Sequence, residues 1–232
     1  MSSIKEEWVH ETQFGKWFLR TGVWVKYVLD LAIVRLCKLA GDDVKQNARV
    51  LDVGCGFGQS LAIIERHLKP KQLIAVDVDP QVLPAAARCA AQLECPAEVG
   101  RADAKNLPFA DKSFDIILCH QLVHHVGDQA ALLAELRRVL CVGGLVLVSE
   151  SCESFIRTFP VRWFFRHPMH AQKTADQYIA LFREAGFTVD AQQIEKDTPW
   201  WSLLDWGLFK RWGWRKSDYP TTELYLVAKR AA

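Results

Sequence analysis

No Cys-x-x-Cys pair occurs in this 232-residue chain, although it holds seven cysteines, at 37, 55, 89, 95, 119, 141 and 152. An odd number, mostly inside apolar runs, reads as reduced core thiols rather than a disulfide framework, with a reducing cytoplasm as the expected compartment. Nor do histidines and cysteines recur at the spacings of a zinc site, so the pattern predicts no metal. An excess of one charge is also missing. With 29 Lys and Arg against 27 Asp and Glu, the net charge of +2 supplies no general attraction to nucleic acid. The longest apolar stretch, Trp24 to Ala40, is broken by Lys26, Asp30, Arg35 and Lys38 and is too short and too charged to span a bilayer, so it reads as a helix lying on the core, with a membrane-surface role as the alternative. Lys5, Glu6, Glu7 and His10 interrupt the place of a signal peptide's apolar core, so no cleavable signal is expected. Internal repeats and low-complexity tracts are lacking too.

What remains, 50% hydrophobic and 24% charged, can bury one good core, and a single domain is the natural count. Its focus is Val50-Leu51-Asp52-Val53-Gly54-Cys55-Gly56-Phe57-Gly58-Gln59-Ser60, a strand turning sharply into the helical pattern of Leu61, Ile63, Ile64 and Leu68. Glycines there let the backbone approach a ligand and take up dihedrals that other residues avoid, and the helix start offers free N–H groups to an anion. From Arg49 onward strand and helix alternate, which predicts a mostly parallel sheet with helices on both faces. The expected strands are 49–53, 72–77, 96–100, 114–119 and 145–150. The expected helices are 59–68, one opened by Pro80 and running to Leu93, and 129–140. Later, 174–186 reads as a helix, 187–194 and 222–228 as strands, and 196–221 as an insert. Asp79 reads as a cap before Pro80 and Asp115 as structural.

A nicotinamide-binding loop would read Gly-x-Gly-x-x-Gly, but position 59 is Gln. Asp-x-Gly-x-Gly-x-Gly, with Asp52 two residues before the first glycine, resembles motif I of the class I methyltransferases that use S-adenosylmethionine. Ile74-Ala75-Val76-Asp77 resembles that family's second strand, Arg101-Ala102-Asp103-Ala104 the end of its third, and Phe114 to His120 its fourth. Arg138 to Glu150 resembles its following turn and fifth strand. The ubiquinone/menaquinone-type small-molecule group is the nearest in character. The resemblance implies a Rossmann-like, doubly wound, seven-stranded sheet with an antiparallel last strand. It divides the chain into a helical N-terminal extension (1–47), a cofactor core (48–150) and acceptor-covering segments with closing strands (151–232).

It also assigns cofactor contacts. Asp77, with Val78 after it, would hold the ribose diol, since one carboxylate can accept from two adjacent hydroxyls. Asp103 would accept from the adenine amine and the Ala104 N–H would donate to the ring. Gly54, Cys55, Gly56 and Gly58 would pack on the amino-acid tail, with Asp52 beneath to receive its amine, and His120 would touch the methionyl portion. Catalysis then asks mainly for alignment, with a base near neutral pKa for a hydroxyl acceptor. His124, His125, His167 and His170 are the candidates, although His-His-Val after the fourth strand is equally readable as structural. Glu150 would orient an acceptor or a histidine, or serve as a buried, partnered carboxylate.

All nine tryptophans (8, 17, 24, 163, 200, 201, 206, 212 and 214) fall outside residues 25–162. They concentrate in the three segments that, by the resemblance, cover the acceptor. A small aromatic or lipophilic acceptor is therefore expected, with a satellite core or a dimer interface as the plain alternative. Phe209 to Lys216 mixes cations with indoles and reads as a solvated amphipathic loop, with single-stranded RNA or a lipid surface as alternatives. An RNA methyltransferase is disfavoured by the charge balance and by Cys119-His120-Gln121-Leu122 where Asn-Pro-Pro-Tyr would stand. A non-catalytic methyltransferase-like module at a membrane surface remains a second reading.

Overall fold

The computed structural model describes residues 11–203 and 219–231. Its central sheet has the order β3-β2-β1-β4-β5-β8-β6, with β7 also paired to β8. The strands are β1 (Arg49–Val53), β2 (Gln72–Asp77), β3 (Ala97–Arg101), β4 (Phe114–His120), β5 (Leu140–Ser151), β6 (Phe187–Thr188), β7 (Ile194–Asp197) and β8 (Glu223–Arg230). Pairing is parallel from β3 across to β5, and β8 runs antiparallel to β5. This is the mixed, doubly wound sheet that strand and helix alternation predicts.

Alternation along each strand sends side chains to two separate cores. Leu51, Val53, Ile117, Cys119, Val146, Val148, Leu224 and Leu226 enter one, with α6 (Gln129–Val139) and α9 (Ala175–Glu184) packed over them. Val50, Ile116, Leu118, Leu145, Leu147 and Val227 enter the other, beneath α3 (Leu31–Ala40), α4 (Gln59–Leu68) and α5 (Leu83–Ala90). The helix starts follow capping rules: Thr174 and Gln177 close a capping box on α9, and Asp128 accepts the Ala131 N–H on α6 at 3.0 Å.

The departures from sequence expectation are local. The helix expected from Pro80 begins at Leu83 and ends at Ala90. The Asp79 carboxylate instead accepts the Gln81 N–H at 2.9 Å, closing a turn ahead of the helix. The strand expected over 187–194 is two short strands. From Thr188, opposite Lys229, to Ile194, opposite Leu226, the chain advances six residues along three of β8, and the surplus is taken up by a 3₁₀ turn at Ala191–Gln193. β5 starts at Leu140 rather than 145, with a register shift against β4 between Phe114 and Ile116. Most of the 196–221 insert, including Trp206, Trp212, Trp214 and the Phe209–Lys216 stretch, lies outside the described residues, as does Trp8.

The N-terminal extension contributes α1 (Gln13–Phe18) and a helical path through α2 (Gly22–Trp24), the π-helical Val25–Asp30 and α3. On α3, Ala32, Ile33, Leu36 and Ala40 are buried in the second core. Truncating Leu36 to Ala should therefore cost about 3 kcal/mol in chemical denaturation, as for any fully buried leucine; a cost below about 0.5 kcal/mol would mean that α3 is a detachable cap.

Candidate active site

The chain leaves β1 towards β2 and β3 on one side and reaches β4 and β5 on the other, so the strand order reverses between β1 and β4. The crevice at the carboxyl ends of these strands is where such sheets bind ligands. Gly54, Gly56 and Gly58 line its β1 end with φ of 79°, 52° and 84°, all in the left-handed region. A Cβ on Gly58 would lie 2.7 Å from the Ala86 backbone, whereas one on Gly56 would meet nothing within 4 Å. The loop is thus packed tightly against α5 on one side and open on the other.

Asp77, half-buried at the end of β2, holds this loop in place: its carboxylate accepts the Gly56 N–H and the Asp79 N–H, each at 2.9 Å. Two such bonds leave lone pairs for a diol. Burial pushes its pKa up, while the backbone donors pull it down. Val78 follows it, half-buried, and its carbonyl accepts from Arg101. Asp52 lies beneath the loop, 2% exposed, and receives the Ser60 hydroxyl at 2.5 Å. Burial, opposed by that hydrogen bond and aided by the charge of Asp77, raises its pKa to about 7. An ammonium group placed beside Asp52 would restore its ionised form. Asp103 stands exposed past β3, where its carboxylate accepts the Lys105 N–H, and Ala104 is half-buried beside it. Cys55 is buried, and desolvation pushes its thiol far above the ordinary range, which leaves it unreactive.

The opposite wall is built on a single carboxylate. Glu150, fully buried on β5, accepts the backbone N–H groups of Leu122, Val123 and His124 at 2.9, 2.7 and 3.3 Å and pairs with His124 Nδ1 at 2.5 Å. The 3₁₀ turn Val123–His125 is pinned to the sheet by these bonds. Two buried glutamines then tie a later segment to the turn. Gln129 donates to the Val123 and Ala171 carbonyls, and Gln172 to those of His124 and Pro168. His167 is thereby brought over the pair, its ring centroid 5.1 Å from that of His124 and 4.8 Å from that of His125. His170 is exposed and lies outside this group. Burial first, and then neighbouring His124, pushes His120 and His167 down to about 3. His125 is lowered for the same reasons. Both ring nitrogens of His120 are buried without a hydrogen-bond partner among the described residues.

A family model described as "Methyltransferase domain" matches residues 51–148. Among curated proteins the chain is similar to phosphoethanolamine N-methyltransferase 3 of Arabidopsis thaliana, 27% identical over 77% of this chain and 35% of that one. It is also similar to a malonyl-[acyl-carrier protein] O-methyltransferase of a Marinomonas species, 29% identical over 65% of this chain and 57% of that one. Residues 51–148 thus resemble a methyltransferase domain, in line with the class I S-adenosylmethionine-dependent family that the sequence motifs resemble. The chain spans about a third of the first relative's length and little more than half of the second's. The solved [4+2]-cyclase SpnF has the same fold, with a TM-score of 0.63 at 22% identity over 85% of this chain and 81% of that one.

The methyltransferase crevice fits the cofactor that the family uses: a glycine loop open on one face, a diol-ready carboxylate, a buried acid for an amine, and an orphaned imidazole at His120. The structure brings Asp52, Gly54–Gly58, Asp77 and Val78 to one edge, with Asp103 and Ala104 on the neighbouring strand end. It also unites three of the four candidate histidines, with Glu150 as the histidine's partner. Metal-site spacing along the chain had predicted no ligand set; in space the ligand atoms of His124, His125 and His167 lie within 4.8 Å of one another. Sequence reasoning missed Ser60, Gln129, Gln172 and Glu223, because buried amides, hydroxyls and a carboxylate inside an alternating strand carry no pattern of their own.

A cleft of about 640 Å³ opens beside Phe57, lined by Gln13, Lys16, Trp17, Arg20, Thr21 and Gln81. Neither Asp77, Asp103 nor the histidines line it, so the chemistry is not placed there. Closer in, aromatic rings roof the crevice: Phe14 stacks near Phe164 at 4.6 Å, Phe18 meets Phe165 and Trp24 at 5.9 and 5.7 Å, and Trp24 reaches His120 at 6.0 Å. The roof is anchored where the Glu11 carboxylate accepts the Arg166 N–H and Lys16 pairs with Asp79.

Replacing Asp77 with Ala removes the loop contact and, if the expected role holds, the diol acceptor, and should weaken binding of S-adenosylhomocysteine by roughly 10 to 100-fold in calorimetry. Unchanged affinity would contradict its role. Glu223 generates a separate expectation. It is buried, accepts from Ser151 and Gln121, and is pushed by burial from 4.5 up to about 8. The folded chain keeps this proton over a range where the unfolded chain releases it. Its stabilising contribution is therefore complete below about pH 4.5 and declines as pH rises to about 8. Glu223→Gln should flatten that slope in denaturation midpoints taken across the same range; parallel profiles would assign the ionisation to another group.

Proposed function

We propose that this methyltransferase domain transfers the methyl group of S-adenosylmethionine to an oxygen or nitrogen of a small aromatic or lipophilic molecule. The observation that carries the reading is the continuity of the aromatic roof with the imidazole wall: Phe165 lies 6.4 Å from His167, and Trp24 borders His120. Apolar rings beside imidazoles suit an acceptor with an apolar body and one polar, nucleophilic end. The bound cofactor supplies the electrophilic methyl on a sulfonium, so the chain's own task is to hold the nucleophile in line and keep water out. Glu150 fixes the His124 ring by Nδ1, so the imidazole wall meets the acceptor's polar end in one set orientation, and the proton released as the new bond to carbon forms passes to solvent.

The named relatives act on phosphoethanolamine and on malonyl-acyl-carrier protein. An amine acceptor is compatible with the same walls, since indole and phenyl faces attract cations. No helix among the described residues is long and apolar enough to cross a membrane.

Incubation of the protein with labelled S-adenosylmethionine and a cell extract, followed by mass identification of the labelled product, tests the proposal. A methylated small molecule bearing a ring or hydrocarbon portion is expected. Label in RNA would overturn it in favour of a nucleic-acid methyltransferase. Tight S-adenosylhomocysteine binding with no labelled product would mean a binding module.

A further inference from the structure

His124, His125 and His167 come from two segments more than forty residues apart, yet their rings form a closed triangle with centroids 4.3, 4.8 and 5.1 Å apart. Among the hydrogen bonds of the described residues none joins one of these rings to another, although each ring offers a nitrogen within 4.8 Å of the other two. Three imidazoles assembled without bonding each other are an arrangement that a shared cation satisfies.

The surroundings supply what a metal site needs beyond its ligands. A metal-binding histidine commonly gives its other ring nitrogen to a carboxylate, which sets its tautomer and orientation. Here His124 Nδ1 is held at 2.5 Å by Glu150, itself fixed by three backbone N–H groups, so Nε2 is the atom turned to ligation. His125 sits on the same pinned turn. The residues on either side of His167 are tied down: Gln172 donates to the Pro168 and His124 carbonyls, and Glu11 accepts the Arg166 N–H at 3.2 Å.

We propose that His124, His125 and His167 form a three-imidazole site for a divalent transition metal ion of the zinc type, with Glu150 as the partner of the first ligand. Tetrahedral Zn–N bonds near 2.1 Å place ligand nitrogens about 3.4 Å apart, so nitrogens within 4.8 Å close by up to about 1.4 Å on binding, within reach of side-chain rotation. Three protein ligands leave a fourth position open, as in catalytic rather than structural sites. Imidazole-only coordination suits zinc, cobalt, nickel and copper and disfavours magnesium and calcium.

The use of this ion rests on the proposed methyl transfer. At the open position an acceptor hydroxyl would lose its proton to solvent, the oxygen–carbon bond would form as the carbon–sulfur bond breaks, and a neutral thioether would leave with the metal unchanged. The site itself does not depend on that reading, and the decisive experiment needs neither acceptor nor cofactor. Chelator-treated, full-length protein is titrated with cobalt(II), followed by visible absorption, and with zinc(II), followed by calorimetry. One ion per chain is expected, with the intense bands of a tetrahedral cobalt centre. His125→Ala and His167→Ala, each outside the Glu150 bonds, should weaken it at least 100-fold while keeping wild-type affinity for S-adenosylhomocysteine as proof of folding. Binding of no more than a fraction of an ion, or equal binding by the double variant, overturns the proposal. Stoichiometric binding together with undiminished methyl transfer in chelator would keep the site and refute its catalytic use.

Discussion

The site depends on how a single carboxylate is buried. Glu150 has no exposed surface, and a charge taken that far from water is costly unless its lone pairs are filled. Three consecutive backbone N–H groups and one imidazole fill them. In satisfying Glu150 the chain must turn immediately after β4, and that turn sets out the rest of the wall. Leu122 is drawn against the glycine loop, where its Cδ1 leaves only 3.0 Å to a Cβ placed on Gly54. The same bonds that seat His124 therefore also shape the cofactor loop across the crevice.

Gln121, just before the turn, shows the same constraint in its backbone. It takes φ of 53°, an uncommon conformation for a residue with a side chain, and is held there by its N–H to Ser149 and by side-chain bonds to Ser151 and Glu223. Strain at a sheet end is retained where the surroundings over-determine it, and here two serines of β5 and the buried Glu223 of β8 do so.

The two halves of the crevice are stabilised differently. The β1–β2 side is local: a strand, three glycines and a helix start arranged within about a dozen residues, with Asp77 bonding back to the loop. The β4–β5 side is assembled from distant parts, with α1, the segment around Phe165 and the turn after β4 meeting only in the folded state. Leu122, which belongs to the second side, touches the glycine loop of the first, so the two sides are coupled at that contact.

Alternating strands and helices, the left-handed glycines and the acids at strand ends were all legible in the chain, because each follows from contacts between near neighbours or from a backbone conformation that few residues allow. So was a helix on Trp24–Ala40 lying on the core, although which of the two cores it joins was not. Tertiary structure alone decided that Glu150 belongs to His124, that His167 joins the pair and His170 does not, and that Asp52 is paired with Ser60. Strand 187–194 failed for the same reason: a turn at Asp190 let β6 and β7 share one edge of β8. Such pairings hold residues dozens of positions apart, and burial, which no local pattern encodes, is what makes them worth forming.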